Sequence, residues 1–194
     1  MLIPESLLGQ NVCLSGGAEG ADTAWGEAAQ AAGHHVIHWS FDRHRTKVPA
    51  DQVVRLTPEH LAEADHALAL ANKSLKRRWP VRDPYTANLL RRNFFQVRWS
   101  EAVYGVAGFE DRQVTGGTAW AIQMYLDRWI HRRADLDLCR AFVFDQKAGR
   151  WYRWYTGWEE IDAPPRPSGI YGAVGSSDLL PLGSETIVKL YSEA

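Results

Sequence analysis

Residues 15–22 read Ser15-Gly16-Gly17-Ala18-Glu19-Gly20-Ala21-Asp22, between a short apolar run at Asn11–Leu14 and an Ala-rich segment at Ala21–Ala32. The apolar run is typical of a buried strand, and the Ala-rich segment has the apolar spacing of a helix. Gly33 stands where a helix C-cap glycine is expected, and Val36–Trp39 is typical of the next strand. These segments predict a strand, a glycine-rich turn, a helix and a second strand in succession.

The same alternation continues along the rest of the chain. Helices are predicted at about residues 57–72, 84–97, 119–131 and 183–191, with Thr57 as an N-cap. Strands are predicted at 102–106, 141–144 and 170–174, with the aromatic run Trp151–Tyr155 as a hairpin partner. This order indicates an α/β fold: a Rossmann-like parallel sheet with helices on both faces. We expect a single domain over residues 1–194, whose C-terminal strand and helix, 169–194, complete the sheet.

Composition and net charge exclude several classes of protein. The chain has 22 Lys and Arg against 23 Asp and Glu, which argues against binding of duplex nucleic acid through overall charge. The two cysteines, Cys13 and Cys139, are too few for a disulfide scaffold or a cysteine-rich zinc site. His34, His35 and His38 do not converge on one strand face, so no metal site is predicted. Without a long apolar stretch or a secretory signal, we expect a cytoplasmic protein with no membrane partner.

Three turns of Gly and hydroxyl residues each stand between a predicted strand and a predicted helix, at Cys13–Asp22, Val114–Ala121 and Ala173–Leu180. In a parallel sheet such turns lie at the carboxyl ends of the strands, where ligands bind. Glycine lets the backbone approach a ligand, and the free amides of a first helical turn favour an anion, usually phosphate. The turns therefore predict one pocket for a phosphorylated ligand. The alternative interpretation is three tight connections in a compact fold.

These motifs resemble those of the SLOG superfamily, which includes LOG-type, YpsA-like, molybdenum-cofactor-carrier and DprA-like proteins. Residues 15–22 are similar to its SGGAxGAD signature, and residues 116–124 are similar to its GGTxWAxQM turn. Residues 171–180 resemble the GIGSR segment that opens YpsA-like chains, although Ser177 replaces the arginine. Because this segment comes last here, the order resembles the circularly permuted, cpYpsA-related branch. That order implies that residues 170–174 lie close to residues 11–14 and that the chain termini meet.

The resemblance implies a ligand and the residues that bind it. The ligand would be a phosphorylated nucleotide-like small molecule (a nucleotide, an ADP-ribose derivative or a molybdopterin-type cofactor), bound by a sensor or carrier that forms a homo-oligomer. The residues assigned to ligand and phosphate binding are Ser15, Gly16, Gly17, Ala18, Glu19, Gly20, Asp22, Arg92, Asn93, Gly116, Gly117, Thr118, Gly175, Ser176 and Ser177. Asp22 can equally cap its helix, Thr118 can be an N-cap or a phosphate-binding hydroxyl, and Glu19 is expected to face a sugar hydroxyl or solvent.

Two alternatives from other classes stand beside ligand binding. A LOG-like nucleoside-monophosphate N-glycosidic hydrolase needs a positioned carboxylate, but Ala121 stands where the second LOG motif has its glutamate. Asp22, Glu19 and Glu27 are the carboxylates near the first turn, and no catalytic residue is assigned. A DprA-like binder of single-stranded nucleic acid would use the stretch Lys73–Arg98, which interleaves cations with aromatic residues. The simpler interpretation of that stretch is a solvated basic face.

Overall fold

The computed structural model describes residue 3 and residues 5–130 and 138–192. Its strands, numbered in chain order, are β1 Val12–Ser15, β2 His35–Phe41, β3 Val53–Leu56, β4 Ala102–Ala107, β5 Phe109–Glu110, β6 Gln113–Val114, β7 Ala141–Asp145, β8 Arg150–Trp154, β9 Trp158–Ile161 and β10 Ile170–Gly175. Its α-helices are α1 Ala21–Ala31, α2 Pro58–Ala62, α3 Asp65–Leu75, α4 Pro84–Val97, α5 Thr118–Ile130 and α6 Pro181–Ser192.

Eight strands form one sheet in the order β3-β2-β1-β10-β4-β7-β8-β9. The first six are parallel, and β8 and β9 add an antiparallel hairpin at one edge. β5 and β6 form a separate small hairpin. The predicted α/β class is confirmed in the form of a mostly parallel, Rossmann-like sheet. The aromatic run at 151–155 lies in the edge hairpin and pairs with β7, as predicted.

Helices cover both faces of the sheet, and central strands such as β4 are therefore buried along their whole length. α1 and α6 pack together over one face, where Trp25 and Ile187 belong to one apolar cluster. α3, α4 and α5 pack together over the other face, with Leu68 and Ile122 in their cluster. Because helices cover both faces, a ligand can reach the parallel strands only at their ends. In open sheets of this kind, ligands bind at the carboxyl ends of the strands.

The C-terminal strand completes the centre of the sheet. β10 lies between β1 and β4, and Ile170 pairs in register with Val12. The prediction that residues 170–174 lie close to residues 11–14 is therefore confirmed. The predicted meeting of the chain termini lies outside the described residues, since residues 1, 2, 193 and 194 are not among them.

Two helices, α2 and α3, replace the single helix predicted at residues 57–72. Thr57 caps α2 as predicted, in a capping box with His60. The predicted helix is interrupted because its two halves pack into different apolar clusters of the core. Leu61 packs into the apolar cluster around β2 and β3, whereas Leu68 packs into the cluster around α5.

Short elements account for the remaining differences. Residues 40–56, where no helix or strand is predicted above, contain the edge strand β3, in which Leu56 is the one buried residue. The helix predicted at 183–191 begins earlier, at Pro181. The predicted end of the helix at 119–131 falls on His131, which lies outside the described residues. None of these differences moves the turns that border the predicted ligand site.

Candidate functional site

The three glycine-bearing turns meet beyond the carboxyl ends of β1, β10 and β4. They border a cleft of about 390 Å³, together with one side of α4. The second turn reaches this position through the β5–β6 hairpin, across whose base Thr115 N donates to Gly108 O at 3.0 Å. The three turns thus lie together in the crevice where parallel sheets of this class bind ligands.

Most of the predicted ligand-binding residues line this cleft. They are Ala18, Glu19, Asp22, Arg92, Asn93, Gly116, Gly117, Thr118, Gly175, Ser176 and Ser177. The other lining residues were not assigned to ligand binding from the sequence: Thr86, Leu89, Leu90, Gln96, Ala107, Gly108, Thr115, Val174 and Asp178. Thr86, Leu89 and Gln96 recur with Asn93 at the spacing of one helix face, which is the signal that could have found them.

Four predicted residues lie behind the cleft rather than on its lining: Ser15, Gly16, Gly17 and Gly20. A Cβ on Gly16 would lie 1.2 Å from Arg92 Nη1, so this glycine admits the arginine side chain. A Cβ on Gly20, which has a φ of +96°, would lie 2.4 Å from Ser177 O. Gly20 therefore lets the third turn pack directly against the first. These glycines shape the site from behind instead of presenting their own backbone to the cleft.

A buried ion pair closes the floor of the cleft. Arg92 Nη1 lies 2.7 Å from Asp22 Oδ2 and donates a hydrogen bond to Gln96 Oε1 at 2.7 Å. Gln96 Nε2 donates to Ala173 O at 3.0 Å, and Ser15 Oγ donates to Asp22 O at 3.0 Å. The carboxylate of Asp22 accepts from Arg92 Nη1 and, at 3.4 Å, from Gln96 Nε2. No backbone amide of the described residues donates to it, so it does not act as a hydrogen-bonding cap, although it lies in the first turn of α1. Arg92 Nε is buried with no hydrogen-bond partner among the described residues.

The starts of α1 and α5 differ in the charge beside their free amides. At α1 the amide of Ala21 donates to Ser176 O at 3.0 Å, that of Asp22 has no acceptor among the described residues, and the first turn carries the Asp22 carboxylate. The first turn of α5 carries no acidic residue. In the described part of the chain, the amides of Thr118 and Ala119 donate to no acceptor. Thr118 is the first residue of α5, so Gly117 occupies the N-cap position and Thr118 is not the cap. The start of α5 is therefore the better place for an anion.

Two side chains hold the carbonyl groups of the second turn. Arg77 Nη1 donates to Gly116 O at 2.6 Å and Arg77 Nη2 to Val114 O at 3.4 Å, while Asn93 Nδ2 donates to Gly117 O at 3.2 Å. A trans peptide places its N–H opposite its C=O, so the bond to Gly116 O turns the Gly117 amide away from Arg77. Arg77 is not part of the cleft lining. It thus fixes the peptide orientation of the turn from outside.

Replacing Arg77 with methionine is expected to loosen the second turn and the start of α5. The amide of Trp120, which donates to Gly117 O at 3.1 Å, should exchange with solvent about tenfold faster, because a charge-assisted bond to the turn is lost. Hydrogen exchange followed by NMR measures this. Arg78→Met removes the same charge from the neighbouring exposed position and serves as the control. Equal exchange rates in the two variants would show that Arg77 does not hold the turn.

Side chains give the cleft little uncompensated positive charge. Arg92 is paired with Asp22, and Asp178 adds a carboxylate to the lining. Glu19 is exposed and its Oε1 lies 2.6 Å from Lys47 Nζ, so the rim is also balanced. An anion in this cleft would therefore depend on main-chain amides, as the glycine pattern predicts, rather than on a basic patch.

Two buried histidines lie behind the first turn. Burial, together with the charge of Arg92, lowers the pKa of His38 to about 4, and neither ring nitrogen has a hydrogen-bond partner among the described residues. Burial also lowers the pKa of His44 to about 4, with the charges of Arg92 and Arg55 acting in the same direction. Its Nδ1 lies 3.1 Å from Ser40 Oγ. Both rings are therefore neutral in the folded protein at neutral pH.

The free energy of unfolding is expected to fall as the pH drops from about 6.5 towards 4. Both histidines have a lower pKa folded than unfolded, so the unfolded chain binds more protons in this window and acid favours it. Each histidine should contribute up to about 2 kcal/mol of this loss between pH 7 and pH 5. Urea unfolding across this range measures the slope. His38→Gln should flatten it, and a wild-type profile that is level above pH 5 would contradict the assignment.

Several cationic side chains of the basic stretch at residues 73–98 form ion pairs or ring contacts within the protein. Arg91 bonds to both carboxylate oxygens of Asp65, at 2.6 and 3.0 Å. Arg98 pairs with Glu63, and its guanidinium lies 4.4 Å from the centre of the Trp99 ring. The pair with Asp65 links α4 to α3, and the pair with Glu63 links the end of α4 to the end of α2. These cations therefore serve in packing of α4 against its neighbours, and the choice between a solvated basic face and a track for single-stranded nucleic acid stays a prediction.

The fold and the cleft define an α/β protein with a mostly parallel sheet and a crevice at its carboxyl edge. In comparisons with protein-family profiles, curated proteins and solved structures, nothing matches the chain. The resemblance to the SLOG superfamily thus rests on the motifs quoted above and stays a prediction. In the described ranges, no helix has the length and apolar character needed to cross a membrane. Nor do three or more His, Cys, Asp or Glu residues there converge as metal ligands would.

Proposed function

We propose that the cleft binds a phosphorylated nucleotide-like small molecule and that the protein acts as a sensor or carrier of it. The observation that carries this proposal is the convergence of three glycine-bearing turns on one cleft of about 390 Å³. The ligand classes that fit are a nucleotide, an ADP-ribose derivative and a molybdopterin-type cofactor. Each combines a phosphate with a planar ring system and polar groups, and the cleft combines amides with the apolar side chains Leu89 and Leu90.

The phosphate is assigned to the start of α5. The amides of Thr118 and Ala119 are unbonded in the described part of the chain, and the helix dipole adds to their attraction for an anion. The ligand would thus meet main-chain donors on one side and the Asp22–Arg92 pair on the other.

Binding without hydrolysis is the form of the proposal that the site supports. Asp22, the buried carboxylate of the cleft, is held by Arg92 at 2.7 Å, so it is not free to assist bond cleavage. Ala121, at the position of the LOG glutamate, is buried and brings no carboxylate. The position of β10 between β1 and β4 supports the further proposal that the chain has the circularly permuted SLOG order.

Native mass spectrometry of the purified protein tests the proposal. We expect a co-purified mass that contains phosphorus and leaves the protein when it is unfolded. Incubation with nucleoside monophosphates, followed by chromatography of the products, separates binding from hydrolysis. Release of free base would show a hydrolase instead. Absence of both retained ligand and affinity for nucleotides would contradict the proposal.

A further inference from the structure

A second and larger cavity, of about 530 Å³, lies beyond the ends of β2 and β3. Its lining includes Phe41, Asp42, Tyr85, Asn88 and Arg91. It shares a wall with the first cleft, because the opening turns of α4 line the cleft on one side and this cavity on the other. The two cavities therefore lie at the same edge of the sheet, on either side of one helix.

The position of Asp42 indicates which kind of ligand this cavity could bind. β1, α1 and β2 form a parallel strand–helix–strand unit with a glycine-rich first turn, and Asp42 directly follows β2. In dinucleotide-binding units of this kind, a carboxylate about 20 residues after the glycine-rich turn binds the ribose hydroxyls. The side chain of Asp42 is 90% exposed, and its ion pair with Arg43, at 3.6 Å, is equally exposed. Its carboxylate is therefore available to accept hydrogen bonds from a ligand.

An aromatic surface lies beside this carboxylate. Tyr85 is 41% exposed, and its ring meets that of Phe41 edge-on, with the ring centres 5.6 Å apart. The ring of Phe41 also stacks with that of His44. Because Phe41 is buried, Tyr85 is the ring of this pair that a planar ligand can reach, and aromatic side chains bind nucleobases by stacking on them. Asn88 adds an amide that can both donate and accept hydrogen bonds at a base edge.

The chain that follows Asp42 connects the two cavities. Lys47 on this segment pairs with Glu19 of the first turn. Val48 packs against Gly17, where an added Cβ would lie 3.0 Å from its Cγ2. The segment that begins at Asp42 therefore runs from the second cavity to the rim of the first cleft.

From these observations we infer that the second cavity binds the nucleoside half of a dinucleotide-like ligand. The ribose hydroxyls donate to the Asp42 carboxylate, the base stacks on Tyr85, and the phosphate group reaches the cleft. This inference rests on the proposed function for the phosphate position, and it narrows the ligand to molecules that carry a nucleoside joined through phosphate to a second group.

Calorimetric titrations with ADP-ribose and with ribose 5-phosphate test the inference. ADP-ribose should bind at least about tenfold more tightly, because only it carries a nucleoside. Tyr85→Ala and Asp42→Ala should each weaken ADP-ribose binding about tenfold and leave ribose 5-phosphate binding unchanged. Tyr85→Phe keeps the ring, and Asp51→Ala removes another exposed carboxylate of the same connection. Both control variants should bind ADP-ribose as the wild type does.

Equal affinity of the wild type for the two probes would overturn the inference and leave the cleft assignment standing. So would unchanged ADP-ribose binding in both Tyr85→Ala and Asp42→Ala. A titration with adenosine alone separates this inference from the proposed function, since it requires no phosphate site. The NMR signals of the Tyr85 ring should shift in the wild type and equally in Gly117→Asp. If adenosine leaves them in place, the nucleoside site does not exist, whatever the cleft binds.

Discussion

Replacing Asp22 with alanine is expected to lower the free energy of unfolding by about 3–5 kcal/mol. The change removes the buried partner of Arg92, whose side chain is only 5% exposed, and leaves its charge uncompensated. A buried charge without a partner is among the most destabilising defects in a folded protein. Urea unfolding monitored by circular dichroism measures the loss, and Glu27→Ala, an exposed acid on the same helix, should change stability by less than about 0.5 kcal/mol.

The double variant Asp22→Leu/Arg92→Met separates the cost of an unpaired charge from the loss of packing. Replacing a whole buried ion pair by apolar residues is often close to neutral, so the double variant should recover most of the stability that Asp22→Ala loses. If Asp22→Ala were as stable as the wild type, the ion pair would not be the buried contact described. If the double variant were as unstable as the single one, packing rather than charge would be responsible.

Replacing Gly117 with aspartate is expected to weaken binding of a phosphorylated ligand by at least about 100-fold without loss of stability. Gly117 precedes the first residue of α5, and an added Cβ there meets no heavy atom within 4 Å. Aspartate is a favourable N-cap residue, so its carboxylate can accept hydrogen bonds from the free amides of the first turn and stabilise the helix. The same carboxylate occupies and repels the position assigned to phosphate. Calorimetric titration with AMP and thermal unfolding measure the two effects.

Gly117→Asn is the matched control, because asparagine caps a helix as well as aspartate but carries no charge. It should bind AMP at least about tenfold more tightly than the aspartate variant, since it occupies the same amides without the charge repulsion. Wild-type affinity in both variants would place the anion elsewhere. Equal loss of binding in both would point to occupation or shape of the turn rather than to its electrostatics.

Elements whose ends are marked by capping residues in the local sequence could be predicted. The helix Pro84–Val97 agrees with the predicted bounds, and the structure shows that it begins with local signals: Asp83 accepts a hydrogen bond from Thr86 N as the cap, and Pro84 stands in the first turn. β3 carries no such signal: it is a short edge strand, and its four residues include a single fully buried one. The interruption between α2 and α3 depends on which distant cluster Leu61 and Leu68 join, and that information is not local.

The same distinction applies to the candidate site. The turns could be located because glycine-rich turns between strands and helices fall at one edge of a parallel sheet. The pairing of Asp22 with Arg92 could not, since the two residues are 70 positions apart, on helices that cover opposite faces of the sheet, and they meet only at its carboxyl edge. Gly16 shows the limit of motif reading: its missing side chain admits the arginine, a role that no ligand-binding motif indicates.

The most direct test of the phosphate site is an NMR titration of the ¹⁵N-labelled protein with AMP. The largest amide shifts are expected on Gly117, Thr118 and Ala119, because the amides of Thr118 and Ala119 are unbonded in the described part of the chain and the first turn of α5 contains no acidic residue. Smaller shifts should follow in Ser176 and Ser177, which line the same cleft. Saturation at millimolar AMP without movement of the Gly117–Ala119 amides, or no shifts at all, would contradict the assignment of this cleft as a phosphate site.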